Sequence, residues 1–236
     1  CRLGHLDWYN LPMRSTDPEK LSHEHRAVYD DLADEYEAKA PFHFDNIRAQ
    51  VAEFSNFVSG ERRVLDVGCA VGSAMRFMSE MQMVPTGLDL SPRMVAHAKQ
   101  RNPGAEVFVG DFFKFIVSHK FDGIYAQSFI HLFPREVAMR ALSKMSSIME
   151  NDGALFVSTT VVETTSATAG WFRKADYAGQ PARYRKFWRR AELETALSSS
   201  GFEIVKTWNL VDPFNKTWML YIARKSATGD RTGLDG

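Results

Sequence analysis

The segment Val64-Leu65-Asp66-Val67-Gly68-Cys69-Ala70-Val71-Gly72 constrains the fold more than any other stretch of the chain. A short run of mostly apolar residues without polar alternation reads as a strand covered on both faces, the usual setting of a parallel sheet. It passes into a turn bounded by glycines, and a helical period follows from residue 73. Such turns stand at the carboxyl edge of a parallel sheet. There small residues let a ligand approach the backbone, and helix N–H groups face it. Glycines in this position serve helix packing equally well. The string is not the dinucleotide fingerprint G-x-G-x-x-G, because Cys69, Ala70 and Val71 separate Gly68 from Gly72.

The flanking sequence extends the pattern. Residues 85–90, 106–109, 121–126 and 154–160 predict further strands. Residues 73–81 and 134–149 predict helices, and Ser91-Pro92 opens another with a serine cap and proline in the first turn. Alternation of this kind predicts a doubly wound, mostly parallel α/β sheet. Residues 202–208 and 217–223 predict two last strands. Their connection is too short for a crossover helix, so they are expected to run antiparallel. That makes seven strands, one of them reversed near the C-terminus. Upstream, Asp17-Pro18-Glu19 signals a helix start. Val28, Leu32 and Tyr36 place one apolar stripe on a helix over 24–39, and Ile47, Val51, Phe54 and Val58 repeat it until Gly60. Residues 161–188 show no clean period, 192–200 predict a short helix closed by Gly201, and 225–236 predict a frayed tail. The expected division is a helical cap at 1–60, an α/β domain at 61–224 with an insert at about 161–190, and the tail.

Composition excludes several classes. Lys plus Arg number 29 and Asp plus Glu 29, so the formal charge is zero, which counts against broad polyanion tracking. The two cysteines, Cys1 and Cys69, cannot build a disulfide scaffold and point to a reducing, cytoplasmic setting. No apolar run reaches the ~18–20 residues that span a bilayer. No signal peptide is visible, although a first residue of Cys rather than Met leaves targeting open.

Polar residues cluster at the predicted strand ends. Asp89 closes the second strand, where a carboxylate can accept both hydrogen bonds of a ribose diol or simply face solvent. Gly110-Asp111-Phe112 follows the third strand. Its acid can accept from an exocyclic amine beside an aromatic ring, or can cap a helix. The fourth strand ends at Gln127. In this order and spacing the segments resemble the class I S-adenosylmethionine-dependent methyltransferases of the small-molecule branch, over roughly residues 25–224. The resemblance implies a Rossmann-like methyltransferase fold with S-adenosyl-L-methionine as cofactor and S-adenosyl-L-homocysteine as product. It further implies that Gly68, Cys69, Ala70 and Gly72 line the amino-acid part of the cofactor above Asp66. Asp89 would bind the ribose, Leu90 and Met94 would flank adenine, Asp111 and Phe112 would take its amine and border its ring, and Gln127 would face the methionine end. Tyr29 and Tyr36, on what looks like the family's opening helix, would reach the same end or merely pack on the sheet. Ala70 departs from the pattern, which usually has glycine there.

The implied reaction is in-line displacement at a sulfonium methyl, in which positioning supplies most of the catalysis. A base is needed only for a nucleophile protonated at neutral pH, and His131, just past the fourth strand, is the candidate for it or for a structural hydrogen bond. In residues 171–190 seven basic side chains stand against one acid, interleaved with aromatic residues. Trp171, Tyr177, Arg183 and Phe187 are candidate contacts for a small aromatic or anionic substrate; a solvated face, an oligomer contact and a nucleic-acid surface are the alternatives. The expected acceptor is a small molecule methylated on oxygen, nitrogen or carbon. An RNA or protein substrate, or a non-methylating relative, is the rival expectation. A monomer or homodimer without a membrane or nucleic-acid partner is expected. Two cysteines and scattered histidines lack metal-ligand spacing.

Overall fold

A computed structural model describes residues 17–160, 169–173, 181–212 and 216–226. The central sheet contains β1 (Arg63–Val67), β2 (Val84–Asp89), β3 (Glu106–Val109), β4 (Phe121–Gln127), β5 (Met149–Thr160), β8 (Phe202–Val211) and β9 (Thr217–Lys225). A separate hairpin is formed by β6 (Ala169–Arg173) and β7 (Ala182–Lys186). The sheet order is β3-β2-β1-β4-β5-β9-β8. Neighbours from β3 to β5 are parallel, and β9 runs antiparallel to both β5 and β8. This is the doubly wound seven-stranded architecture expected from the sequence, with one reversed strand.

The helices are α1 (Pro18–Asp31), α2 (Ala33–Lys39), α3 (Phe44–Ser55), α4 (Ser73–Glu80), α5 (Pro92–Arg101), α6 (Arg135–Ser147) and α7 (Arg190–Ser199). None of the described helices is long and apolar enough to cross a membrane. The helices cover both sheet faces, which is why the strand sequences lack polar alternation. On one face Leu65, Ile124 and Leu155 join Ala141 and Leu142 of α6 and Leu197 of α7. On the other, Val64, Tyr125 and Phe156 join Phe54 of α3 and Phe77 of α4. Tyr125 and Phe156 stack with ring centroids 4.3 Å apart. Gly123 lets α3 lie this close, because a Cβ there would stand 2.9 Å from Phe54 Cζ and 3.2 Å from Val58 Cγ2.

The chain reverses its direction of winding at β1. From β1 it steps outward to β2 and β3, then returns to β4 and β5 on the other side. The crevice at the carboxyl ends of β1 and β4 is therefore the topological switch point, where open α/β sheets bind ligands.

Two elements depart from expectation. The helix expected over 24–39 is bent into α1 and α2 at Leu32, although bonds from Leu32 N to Val28 O and from Tyr36 N to Leu32 O carry across the bend. The bend lays α2 along α5, where Asp34 meets Arg93 and His97, and Glu37 meets Arg101. The stretch without a clean period contains the β6–β7 hairpin, in which Trp171 pairs with Tyr184. Its strands are short, and Arg183, Tyr184, Arg185 and Lys186 are all buried, so no alternation betrays them.

Gly123→Ala is expected to lower the unfolding free energy by about 1–3 kcal/mol, the usual cost of overpacking a core. Urea unfolding followed by circular dichroism checks it, and an unchanged midpoint would refute the close-approach role of this glycine.

Candidate functional site

The turn after β1 is pinned to β2 by backbone bonds. Gly68 N and Cys69 N both donate to Leu88 O, at 2.8 and 3.1 Å. Ala70 N donates to Asp89 Oδ2 at 3.0 Å, and Ser91 N to Asp89 Oδ1 at 2.9 Å. One carboxylate thus joins the β1 turn to the exit of β2. Ser91 Oγ then accepts from Met94 N to cap α5 and donates to Asp30 Oδ1 of α1 at 2.7 Å. These bonds close the strand ends into one wall of a cavity of about 640 Å³, within the ~300–1,000 Å³ typical of ligand pockets.

The turn is conformationally costly. Gly68, Ala70 and Gly72 have φ of +72°, +47° and +73°, the left-handed region that disfavours a Cβ. Gly68 faces the cavity, and a Cβ on it would press Phe129 Cδ2 at 3.1 Å. Gly72 does not line the cavity. Its missing side chain admits Asn102 Nδ2 and Ala98 of α5, which a Cβ would meet at 2.5 and 3.0 Å. Here the helix-packing role of a turn glycine applies, rather than the ligand contact expected of it. Ala70 adopts a glycine conformation without being glycine.

Four polar side chains converge at the cavity floor. Asp66 is buried with Oδ2 lacking a partner. Burial, reinforced by the charge of Asp89, pushes its carboxyl up to about 8. Burial also raises Asp89, against the lowering effect of the backbone N–H groups it accepts from. Asp111 Oδ1 accepts from Phe113 N at 2.9 Å. Gln127 Nε2 donates to Gln50 Oε1 at 3.3 Å, and Tyr125 Oη donates to the same oxygen at 3.4 Å. Cys69 also lines the cavity, but burial and the neighbouring carboxylates hold its thiol far above the usual range, so it is a small wall residue rather than a nucleophile.

Apolar and aromatic groups complete the wall. Leu90, Met94 and Phe112 line it beside Asp89 and Asp111. Tyr29 and Tyr36 line it from α1 and α2, with ring centroids 5.9 Å apart in an edge-to-face pair. His131, in the 3-10 turn Ile130–Leu132, and Arg183 of β7 line it as well. Trp171 and Phe187 are buried in contact with Tyr184 and Phe172 and do not line it. Tyr177 lies outside the described residues.

Both nitrogens of His131 are engaged. Arg185 Nη1 lies 2.5 Å from Nε2, and a guanidinium can only donate, so Nε2 is the acceptor. The ring proton then sits on Nδ1, 3.2 Å from Thr159 Oγ1. Among the described residues no group of three or more His, Cys, Asp and Glu side chains is placed to hold a metal ion.

Sequence reasoning did not single out Gln50 or His25, and it took Arg185 only as one of the seven basic residues of 171–190. Gln50 interrupts the buried stripe of α3 between Ile47 and Phe54, and a polar residue inside such a stripe is a signal. His25 stands one helical turn before Tyr29 on the face that reaches Tyr36, and Arg185 lies two residues beyond Arg183, on the same strand face.

Two outcomes are expected. Ala70→Gly relieves the left-handed strain and raises the unfolding free energy by about 0.5–1 kcal/mol after the entropy cost of glycine, measurable by urea titration. The Asp66 carboxyl stays neutral up to about 8 in the fold but ionises near 4 in the unfolded chain. Its contribution to stability is therefore full below about pH 4 and is lost as pH rises to about 8, at up to about 1.4 kcal/mol per pH unit. Asp66→Asn should flatten this decline, and parallel slopes for both proteins between about pH 5 and about pH 8 would refute the buried-acid assignment.

The sequence matches a methyltransferase domain family over residues 32–207. A dTDP-3-amino-3,4,6-trideoxy-alpha-D-glucopyranose N,N-dimethyltransferase of Streptomyces venezuelae is 27% identical over 140 residues, covering 57% of this chain and 56% of the relative. A dTDP-3-amino-3,6-dideoxy-alpha-D-glucopyranose N,N-dimethyltransferase of Streptomyces fradiae is 30% identical over 96 residues, covering 40% and 38%. The chain thus spans about half or less of the length of the curated relatives it matches. Among solved structures, a Burkholderia thailandensis 1,6-didemethyltoxoflavin-N1-methyltransferase with bound 1,6-didemethyltoxoflavin and S-adenosylhomocysteine superposes with a TM-score of 0.74 at 16% identity, covering 93% of this chain and 94% of that one. With residues 32–207, more than half of its length, matched to that family, this chain is a member of the methyltransferase domain family.

Proposed function

We propose that the chain is an S-adenosylmethionine-dependent methyltransferase acting on a small-molecule acceptor. The observation that carries this reading is the set of strand-end carboxylates, above all Asp66, whose buried Oδ2 lacks a partner. An orphaned acid beside a glycine turn fits a ligand that brings a cation, and the amino-acid end of S-adenosylmethionine carries an ammonium group. When bound, the cofactor supplies an electrophilic methyl group on a sulfonium.

The chain's own residues then bind and orient. Asp89 accepts from the backbone N–H groups of Ala70, Leu90 and Ser91, and a carboxylate's four acceptor sites leave room for a ribose hydroxyl beside them. Asp111 keeps Oδ2 for an adenine amine, with Phe112, Leu90 and Met94 forming an apolar slot for the ring. Gln127, fixed by Gln50, and the tyrosines Tyr29 and Tyr36 flank the methionine end. Gly68, Cys69 and Ala70 form the floor of this end. Helix α1 and the hairpin pack together over the acceptor side, where His25 meets Trp171 at 6.0 Å. A cavity roofed in this way suits a small molecule better than a polymer.

A nitrogen acceptor fits best. The named relatives methylate nitrogen, and an uncharged nitrogen brings its own lone pair, whereas a hydroxyl needs a base. His131, with both ring nitrogens engaged, acts in this reading by holding Arg185 and Thr159 in place rather than by taking a proton.

Asp89→Ala is expected to weaken S-adenosylhomocysteine binding by about 10–100-fold, the value of one or two charge-assisted hydrogen bonds. Titration calorimetry reads it. Unchanged affinity would refute the ribose assignment, and no heat from the wild type at millimolar S-adenosylhomocysteine would refute the function.

A further inference from the structure

Helix α1 turns Ser22, His25 and Tyr29 to the cavity from one face, spaced three and four residues apart. A helix that only covers a core shows it an apolar stripe. On α1 two of the cavity-lining positions are polar and buried, Ser22 at 6% and His25 at 1% exposure. Phe129 and Phe133 line the same cavity, with ring centroids 5.0 Å apart.

The imidazole of His25 is boxed by the rings of Tyr29, Phe133 and Trp171, with centroids at 6.0, 6.3 and 6.0 Å. Its Nε2 is buried and has no hydrogen-bond partner. A buried nitrogen left in this way forgoes the bond that water would give it, and aromatic rings return little. The cavity that the ring lines is the side from which a partner can come. Burial, then the positive charges of Arg185 and Arg183, hold the imidazole down at about 3, so the ring is neutral. A group held so low is a poor base for the acceptor. It remains able to give or take a hydrogen bond without charge. A cationic acceptor at this corner would meet the same two guanidiniums.

We propose that His25 selects the methyl acceptor: its neutral imidazole hydrogen-bonds a heteroatom of an uncharged aromatic heterocycle held at the corner of Tyr29, Phe129 and Phe133. This rests on reading the cavity as a methyl-transfer site and adds the residue that recognises the substrate in it. The aromatic side chains supply area for a flat ring. The imidazole fixes the orientation of that ring, which an apolar wall alone leaves free. It also discriminates, because an all-carbon ring of the same shape leaves the buried nitrogen unanswered.

Equilibrium dialysis of the full chain loaded with S-adenosylhomocysteine tests this, with indazole, its hydrocarbon analogue indene and the anion indazole-3-carboxylate as probes. In His25→Phe, which keeps the aromatic packing, the ratio of indazole affinity to indene affinity should fall about tenfold from its wild-type value. In His25→Gln, whose amide gives and takes a hydrogen bond without charge, the ratio should stay within about threefold. A merely structural role would weaken both probes together and leave the ratio unmoved, which would overturn the proposal. Nitrogen NMR of the wild type labelled at histidine stands even where a variant fails to fold. Indazole should move an imidazole resonance that indene leaves in place, and no movement would overturn the contact. The carboxylate binding about tenfold or more tighter than indazole would overturn the uncharged class. If S-adenosylhomocysteine binds and these results fail, the role of His25 is wrong and the methyltransferase reading survives. If S-adenosylhomocysteine itself does not bind, both readings fall.

Discussion

The carboxylate of Asp89 is the knot at which the binding edge is tied. It accepts N–H groups from Ala70 and Ser91 and so joins the turn after β1 to the start of α5. Ser91 passes the connection to Asp30, and with it α1 and α2 are held over the strand ends. The half-buried carboxylate carries an electrostatic cost, since partial desolvation raises its titration as full burial raises that of Asp66. Backbone donors cover part of that cost for Asp89. For Asp66 nothing in the described residues donates to Oδ2, so a donor brought by a ligand would meet an acceptor that the fold leaves unpaired.

The strain in the β1 turn follows from the same knot. Ala70 must present its N–H to Asp89, and the backbone reaches that position with a φ of +47°. The two flanking glycines divide the work. Gly68 clears space toward Phe129 and the cavity, and Gly72 clears space toward α5. A glycine-bounded turn in a sequence thus combines two unrelated steric demands that only the packing separates.

Charge distribution organises the remainder of the cavity. A chain with zero formal charge still concentrates carboxylates at the ends of β1, β2 and β3 and guanidiniums on β7. In a low-dielectric cavity such a separation acts far more strongly than on an exposed surface. The groups that make it come from different layers, the acids from the sheet itself and the cations from the hairpin laid over it. Acceptor preference can therefore change through the hairpin without disturbing the donor-binding edge.

The sheet was legible because burial on both faces writes itself locally. Val64, Leu65 and Val67, or Ile124 with Ala126, need no distant information to read as covered strands, and the short link between the last two strands dictates their antiparallel pairing. The strand-end residues Asp66, Asp89, Asp111 and Gln127 were legible for the same reason, since their position follows from where each strand stops. Tertiary structure alone decided the rest. Whether a turn glycine faces a ligand or a helix depends on Asn102, thirty residues away, and on Ala98 one turn before it. The role of His131 depends on Arg185, which approaches across the fold. The hairpin has both faces buried and charged side chains inside, so its period carries no amphipathic signal. Local sequence thus determined the sheet, its order of strands and helices, and the acids at its edge, because each follows from short-range burial. The partners of Gly72, His25, His131 and Arg185 were decided by long-range packing, which brings together side chains whose separation along the chain leaves no periodic trace.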